Sequence, residues 1–280
     1  MIVRGRPPLA IVVVAALGVA VVAVPIAGLL WRAPWSNMGA QLSDPSVRGA
    51  LLLSLVVSVV AAIVAVVLGV PVAWVLARTR FPGRNLVRAI VVVPLVLPPV
   101  VSGVALLTAF GRNGLAGQWL DRAFGLVLPF SILGAVLAAV FISLPFVVIT
   151  VEAGLRNLDT GFEAAAATLG ASRRRTFWTV TLPMILPAIG AGALLAWARA
   201  LGEFGATITF AGSVSGRTRT LPIAIYLALQ ESPAAAIAVS IVLLTVSVVV
   251  LVVLRDRWFP VRDRDVAVRR RGNETAGEAS

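Results

Sequence analysis

The chain has 280 residues, 59% of them hydrophobic and only 13% charged, with a mean hydropathy of +0.99. A soluble domain cannot hide that much apolar surface, so a polytopic membrane protein is the expected class. The formal charge is +12 with no Cys and no His, which excludes a disulfide framework and the usual zinc sites.

Taken in order, apolar runs near the ~20 residues that a helix needs to cross a bilayer stand at Leu9–Trp31, Ala50–Ala77, Ala89–Phe110, Phe130–Val151, Leu182–Ala200 and Ala234–Leu254. They predict an all-α fold with six transmembrane helices. The runs are continuous Val, Leu and Ala, whereas barrel strands alternate. Arg4 and Arg6 precede the first run as they would in a signal peptide, but the run exceeds the about 7–15 residues of a signal core. It reads as an uncleaved span, so residues 1–45 form a first helix with its outer loop, and 46–254 a core of five helices.

Spans one, two, three, four and six hold no ionisable side chain as drawn. Their polar residues are mostly hydroxyls, such as Ser54 and Ser58 on one face of span two. Such hydroxyls join helices, and glycines such as Gly69, Gly103, Gly134, Gly190 and Gly192 let them approach. A second role, donating to an anion along a path, stays open for Ser54 and Ser58. Pro94, Pro98 and Pro99 predict a bend in span three or a helix start at its boundary.

Residues 160–182 form a polar interruption between spans four and five. Thr160-Gly161-Phe162-Glu163 predicts a capping box that opens a short helix. The Ala-rich body favours helix, and Gly170 is placed to end it in a left-handed turn. Ser172 then caps a second short helix carrying Arg173, Arg174 and Arg175 beside Phe177 and Trp178, with Pro183 and Pro187 at the entry to span five. The expected shape is a helix-turn-helix elbow, suited to a partner's groove or to lying on anionic lipid. At the far end of span five, Arg199 and Glu203 stand four apart, where they pair if the helix continues. A structural ion pair and an outer gate are both open there. Residues 255–280 mix both charge signs and read as a disordered tail.

All 24 basic residues are Arg. With the N-terminus inside, seventeen lie on the inner side and seven on the outer, the asymmetry of the positive-inside rule. Both termini and the elbow are therefore expected in the cytoplasm of a multi-pass cell-membrane protein. The charge serves topology, so a nucleic-acid role is not expected.

The stretch Glu163-Ala164-Ala165, Gly170-Ala171 and Leu182-Pro183 resembles the EAA loop of permease subunits in bacterial ABC importers. Glu163 stands seven residues before Gly170 where the usual pattern has six. Pro94-Leu95-Val96-Leu97-Pro98-Pro99, Gly111-Arg112-Asn113-Gly114, Ala200-Leu201-Gly202-Glu203-Phe204-Gly205-Ala206-Thr207 and Arg219-Thr220-Leu221-Pro222 extend the likeness over about residues 45 to 255. This second set is similar to permeases for molybdate and sulfate-like oxyanions, closest to the molybdate subgroup.

The resemblance implies a type I importer fold with a coupling-helix elbow, and the import of an oxyanion, with molybdate ahead of sulfate or tungstate. It implies a second permease subunit in a homodimer, wrapped by span one, an ATPase subunit that grips the elbow, and an extracytoplasmic oxyanion-binding protein. Glu163, Ala164, Ala165, Gly170, Ala171 and Pro183 would couple to the ATPase. Arg199, Glu203, Thr207, Ser54 and Ser58 are candidates for gate or path, and Arg217 and Arg219 for contact with the binding protein. The chain has no Lys and no phosphate loop. It carries no catalytic, cofactor or metal residues in this reading, and ATP with Mg would sit on the partner. An ion-coupled anion carrier remains the alternative, and a membrane scaffold a further one.

Overall fold

The computed structural model describes residues 8–258, with side chains described as far as Val253. Among these residues the chain is helical throughout. The first helix, α1 (Leu9–Trp31), buries none of its residues in the chain. A short α2 (Met38–Ser43) leads to α3 (Pro45–Arg78), which starts five residues before the predicted span. Its start is set locally: the Asp44 carboxylate accepts the Ser46 amide at 2.7 Å, and Pro45 opens the helix where its missing N–H costs nothing.

The predicted third span is two helices, α4 (Arg84–Val96) and α5 (Pro99–Phe110). Leu97 and Pro98 between them are extended, because Pro98 offers no amide and Pro99 pushes its predecessor out of helical geometry. Pro94 is carried inside α4. After the small α6 (Gly117–Phe124), α7 (Ile132–Asn157) runs six residues past the predicted end of span four. It therefore includes Glu152 and Arg156, so that span is not free of charge.

The elbow helix α8 (Gly161–Thr168) is followed by α9 (Arg173–Thr176), a π turn at Phe177–Thr181, and α10 (Leu182–Leu201). The second short helix expected after Ser172 is the first turn of the fifth span, which is continuous from Arg173 to Leu201. Pro183 has no amide to give the Thr179 carbonyl, which accounts for the widened turn just before it. Two helices outside the expected set follow, α11 (Gly205–Phe210) and α12 (Leu221–Glu231), before α13 (Pro233–Trp258). Among the described residues five helices are long and apolar enough to cross a membrane, where six spans were expected. The tail lies outside the described residues beyond Trp258, as do Arg4 and Arg6.

The core is the mutual packing of α3, α7 and α10. Between helices in lipid, close van der Waals contact must supply what the hydrophobic effect does not. Small residues provide it: Ala61 and Ala65 on α3 and Ala135, Ala138 and Ala139 on α7 are almost fully buried. A Cβ at Gly192 of α10 would meet the Val147 Cα at 3.1 Å. The same device locks α11 against α5, where a Cβ at Gly103 would lie 2.5 Å from the Thr209 Cβ, and one at Gly205 2.5 Å from the Pro99 Cβ. Gly103→Val is expected to destabilise the chain by about 1–3 kcal/mol, the usual cost of overpacking. Thermal unfolding in detergent measures this, and an unchanged midpoint would contradict the packing of α5 on α11.

Candidate functional site

The polar chemistry collects at the two ends of the helix bundle. At one end lie the last turns of α3 and α7, the first turns of α4 and α10, and the elbow; this end carries Arg78, Arg88, Arg156 and Arg173 to Arg175. Glu163, in the first turn of α8, accepts on a single oxygen both the Thr181 hydroxyl at 2.7 Å and the Arg78 guanidinium at 3.2 Å. Thr181 is almost completely buried. The expected capping box does not form, since Thr160 is itself helical and makes no side-chain cap. Asp159 accepts the Gly161 amide at 2.8 Å in its place, which leaves Glu163 to a cation from α3.

Gly170 has φ of +80°, the left-handed turn expected of it. Its amide donates to the Ala167 carbonyl and that of Ala171 to the Ala166 carbonyl, both at 3.0 Å. That crossed pair is the Schellman closure of a helix end. Ser172 accepts the Arg175 amide at 3.3 Å and caps the next helix as expected. Trp74 and Phe177 meet edge to face with centroids 6.5 Å apart, and Phe177 and Trp178 at 5.4 Å. Between α3, α8, α9 and the π turn a cleft of about 300 Å³ remains, lined by Trp74, Arg78, Glu163, Ala167, Ala171 and Phe177.

Ala164 and Ala165 are exposed, Ala171 is half-buried, and Pro183 is exposed on the first turn of α10. The large exposed hydrophobic side chains of α8 and its C-cap are Phe162 and Leu169, at 55% and 88%. With Ala165 they mark one helical face at i, i+3 and i+7. The expected coupling residues omitted both, although two bulky apolar side chains in a polar segment were a readable signal. A second ionic cluster was also missed. Glu152 of α7, nearly buried, accepts from Arg88 of α4 and from Arg156 at 2.7 Å.

At the opposite end, Arg199 and Glu203 pair at 2.6 Å, as their spacing suggested, although α10 stops at Leu201. Glu203 is 2% exposed and also accepts the Ala206 amide at 2.8 Å, which starts α11. Thr207 is buried on α11. Ser54 accepts the Leu221 amide at 2.6 Å, and Ser58 donates to the Leu55 carbonyl of its own helix. Both residues are buried, and Ser54 joins α3 to the start of α12, whereas Ser58 bonds only within α3. Arg217 is exposed in the following loop, and Arg219 donates to the Ser213 hydroxyl at 3.2 Å.

Membrane-length helices around a small-residue core, with a short elbow at the arginine-rich end, define an all-helical multi-pass membrane protein. Residues 65–259 match the family described as binding-protein-dependent transport system inner membrane component, and the chain belongs to that family. It is 46% identical over 226 residues to the molybdenum transport system permease protein ModB of Mycobacterium tuberculosis, covering 81% of this chain and 85% of that one. Identity to ModB of Escherichia coli K12 is also 46%, over 71% of this chain and 88% of the relative. The sulfate transport system permease protein CysT of Escherichia coli K12 is 38% identical over 75% and 76%. A crystal structure of a bacterial ABC transporter that imports the acidic polysaccharide alginate superposes with a TM-score of 0.74, covering 91% of this chain and 95% of that chain at 17% identity, a likeness of fold. The chain is an ABC transporter permease subunit, a transport component rather than an enzyme.

Proposed function

We propose that this permease passes a tetrahedral divalent oxyanion, molybdate ahead of tungstate and sulfate, into the cell. The observation that carries the substrate is the 46% identity to molybdenum permeases against 38% to a sulfate permease. In this proposal both termini and the elbow face the cytoplasm, α4 and α5 together make the sixth crossing of a type I importer, and two copies form the permease. That α1 has none of its residues buried in the chain supports a homodimer in which that helix lies on the second copy. A separate ATPase subunit, where ATP and Mg are held, grips the face of Phe162, Ala165 and Leu169. Ala164, Gly170, Ala171 and Pro183 shape that face.

An extracytoplasmic oxyanion-binding protein does most of the selection, because desolvating a dianion among apolar helices is costly and the spans offer few cations. Arg217, exposed and with no salt bridge among the described residues, is the better placed of the two loop arginines to meet that protein. Arg199 presents a partly exposed guanidinium to the outer end of the path, backed by Glu203 and Thr207. Purification with candidate ATPase and binding-protein partners, followed by reconstitution, tests the proposal. Molybdate is expected to stimulate ATP hydrolysis and uptake more than sulfate. Stimulation by sulfate alone would reassign the substrate, and uptake driven by an ion gradient without ATP would remove the ABC mechanism.

A further inference from the structure

We propose that Glu163 acts within the chain, as the brace through which the elbow drives α3 and α10, with Arg78 and Thr181 as its positioning residues. This rests on the elbow being where the ATPase acts. Three segments distant in sequence meet at one carboxylate oxygen: the last turn of α3 through Arg78, the first turn of α8 through Glu163, and the π turn that opens α10 through Thr181.

Geometry separates this oxygen from the docking face. Phe162, Ala165 and Leu169 are exposed, whereas Glu163 is turned inward to a side-chain exposure of 25%, against Arg78 at 19%. The other residues that α8 and its closing turn present to the cleft are Ala167 and Ala171, which make no directional contact. Hydrogen bonds to a charged group are directional and stronger than neutral ones. A displacement of α8 is therefore passed on at Glu163. It reaches α10 through the 2.7 Å bond to a buried hydroxyl and α3 through the longer 3.2 Å bond. The Nε of Arg78 is buried without a partner among the described residues, so its link is the looser of the two. Because α3 and α10 both pack along α7, moving them together shifts the core as one body. The brace also gives the one-residue offset of Glu163 a meaning: the acid is placed to reach inward.

The chain has no Cys, so cysteines placed at exposed Thr168 and Met184 of one permease copy can carry the only spin labels on the permease, read in a full complex whose ATPase subunit has had its own cysteines replaced. In the wild-type sequence the distance between them is expected to stay constant between nucleotide-free and ATP-bound states. In Thr181→Val and Arg78→Gln it is expected to change. This readout needs no substrate, so it stands apart from the oxyanion assignment. In a complex that transports, those two variants are expected to keep the ATPase bound and hydrolysing. Uptake per ATP should fall about fivefold or more, the lower end of couplings between sites. Thr181→Ser should keep the wild-type ratio, and the exchanged pair Arg78→Glu with Glu163→Arg should restore part of what Arg78→Gln loses. A wild-type distance that changes with ATP overturns the brace. So does loss of the ATPase subunit from Thr181→Val and Arg78→Gln, which would place Glu163 at the docking surface.

Discussion

Gly170→Val is expected to cut coupled uptake several-fold while the chain still inserts and assembles. At φ of +80° a side chain with a branched Cβ clashes with its own backbone, a cost of about 1–2 kcal/mol. No neighbour would be struck, because nothing lies within 4 Å of a Cβ built at this position. The penalty is therefore purely conformational. The chain escapes it by leaving the left-handed turn, which breaks the two bonds that close α8 and re-aims Ala171, Ser172 and the cap of α9. A penalty of that size lowers the ratio of formed to unformed elbows by a factor of roughly 5–30. Uptake should fall by up to that factor, while ATP hydrolysis loses part of its response to substrate. A graded series isolates the cause: Asn tolerates left-handed geometry better than Ala, and Ala better than Val. Uptake ordered Asn, Ala, Val ties the effect to φ, whereas full uptake in Gly170→Val would show that the turn is not needed.

What could be read from the residues was what they decide locally. Gly170 and Ser172 set a turn and a cap through their own backbone and side-chain chemistry, and both formed as their positions required. The Arg199–Glu203 pair followed from a spacing of four. The third span broke where Pro98 and Pro99 made breaking cheapest, yet whether adjacent prolines bend or divide a helix depends on what packs beside them. Here Gly205 comes close enough to Pro99 to hold the break open. Glu152 was missed because the apolar window ended at Val151, one residue short of it. Its two arginines make it acceptable in the last turns of α7, and one of them comes from 64 positions away. Glu163 was assigned the wrong cap for the same reason. Thr160 was three residues off and looked sufficient, while the stronger partner, Arg78, was 85 positions back. Long-range charge pairing outranks a local cap, and a sequence window cannot see it.

The same ranking makes the Arg199–Glu203 pair the second sensitive point, and it predicts an asymmetry between its members. Arg199→Met is expected to destabilise the chain severely, and Glu203→Gln only mildly. Glu203 is 2% exposed and Arg199 31% by side chain. Without Arg199 the carboxylate stays buried with one amide for company, and a broken buried pair costs ~3–5 kcal/mol. The partial exposure of the arginine places the loss toward the lower end, a fall in Tm on the order of 10 °C for a domain of this size. Without the Glu203 charge, Arg199 still reaches water, and a glutamine oxygen can still accept the Ala206 amide that starts α11. The double variant Arg199→Met with Glu203→Gln should therefore recover most of the Tm lost in Arg199→Met. Thermal unfolding of the four proteins measures the coupling, and equal losses in the two single variants would contradict this account of burial. Uptake adds the functional half. If the pair only joins α10 to α11, Glu203→Gln transports nearly as well as the wild type. A variant with near-normal Tm and lost uptake instead makes the carboxylate part of the outer gate, because then the charge is required for movement and not for folding.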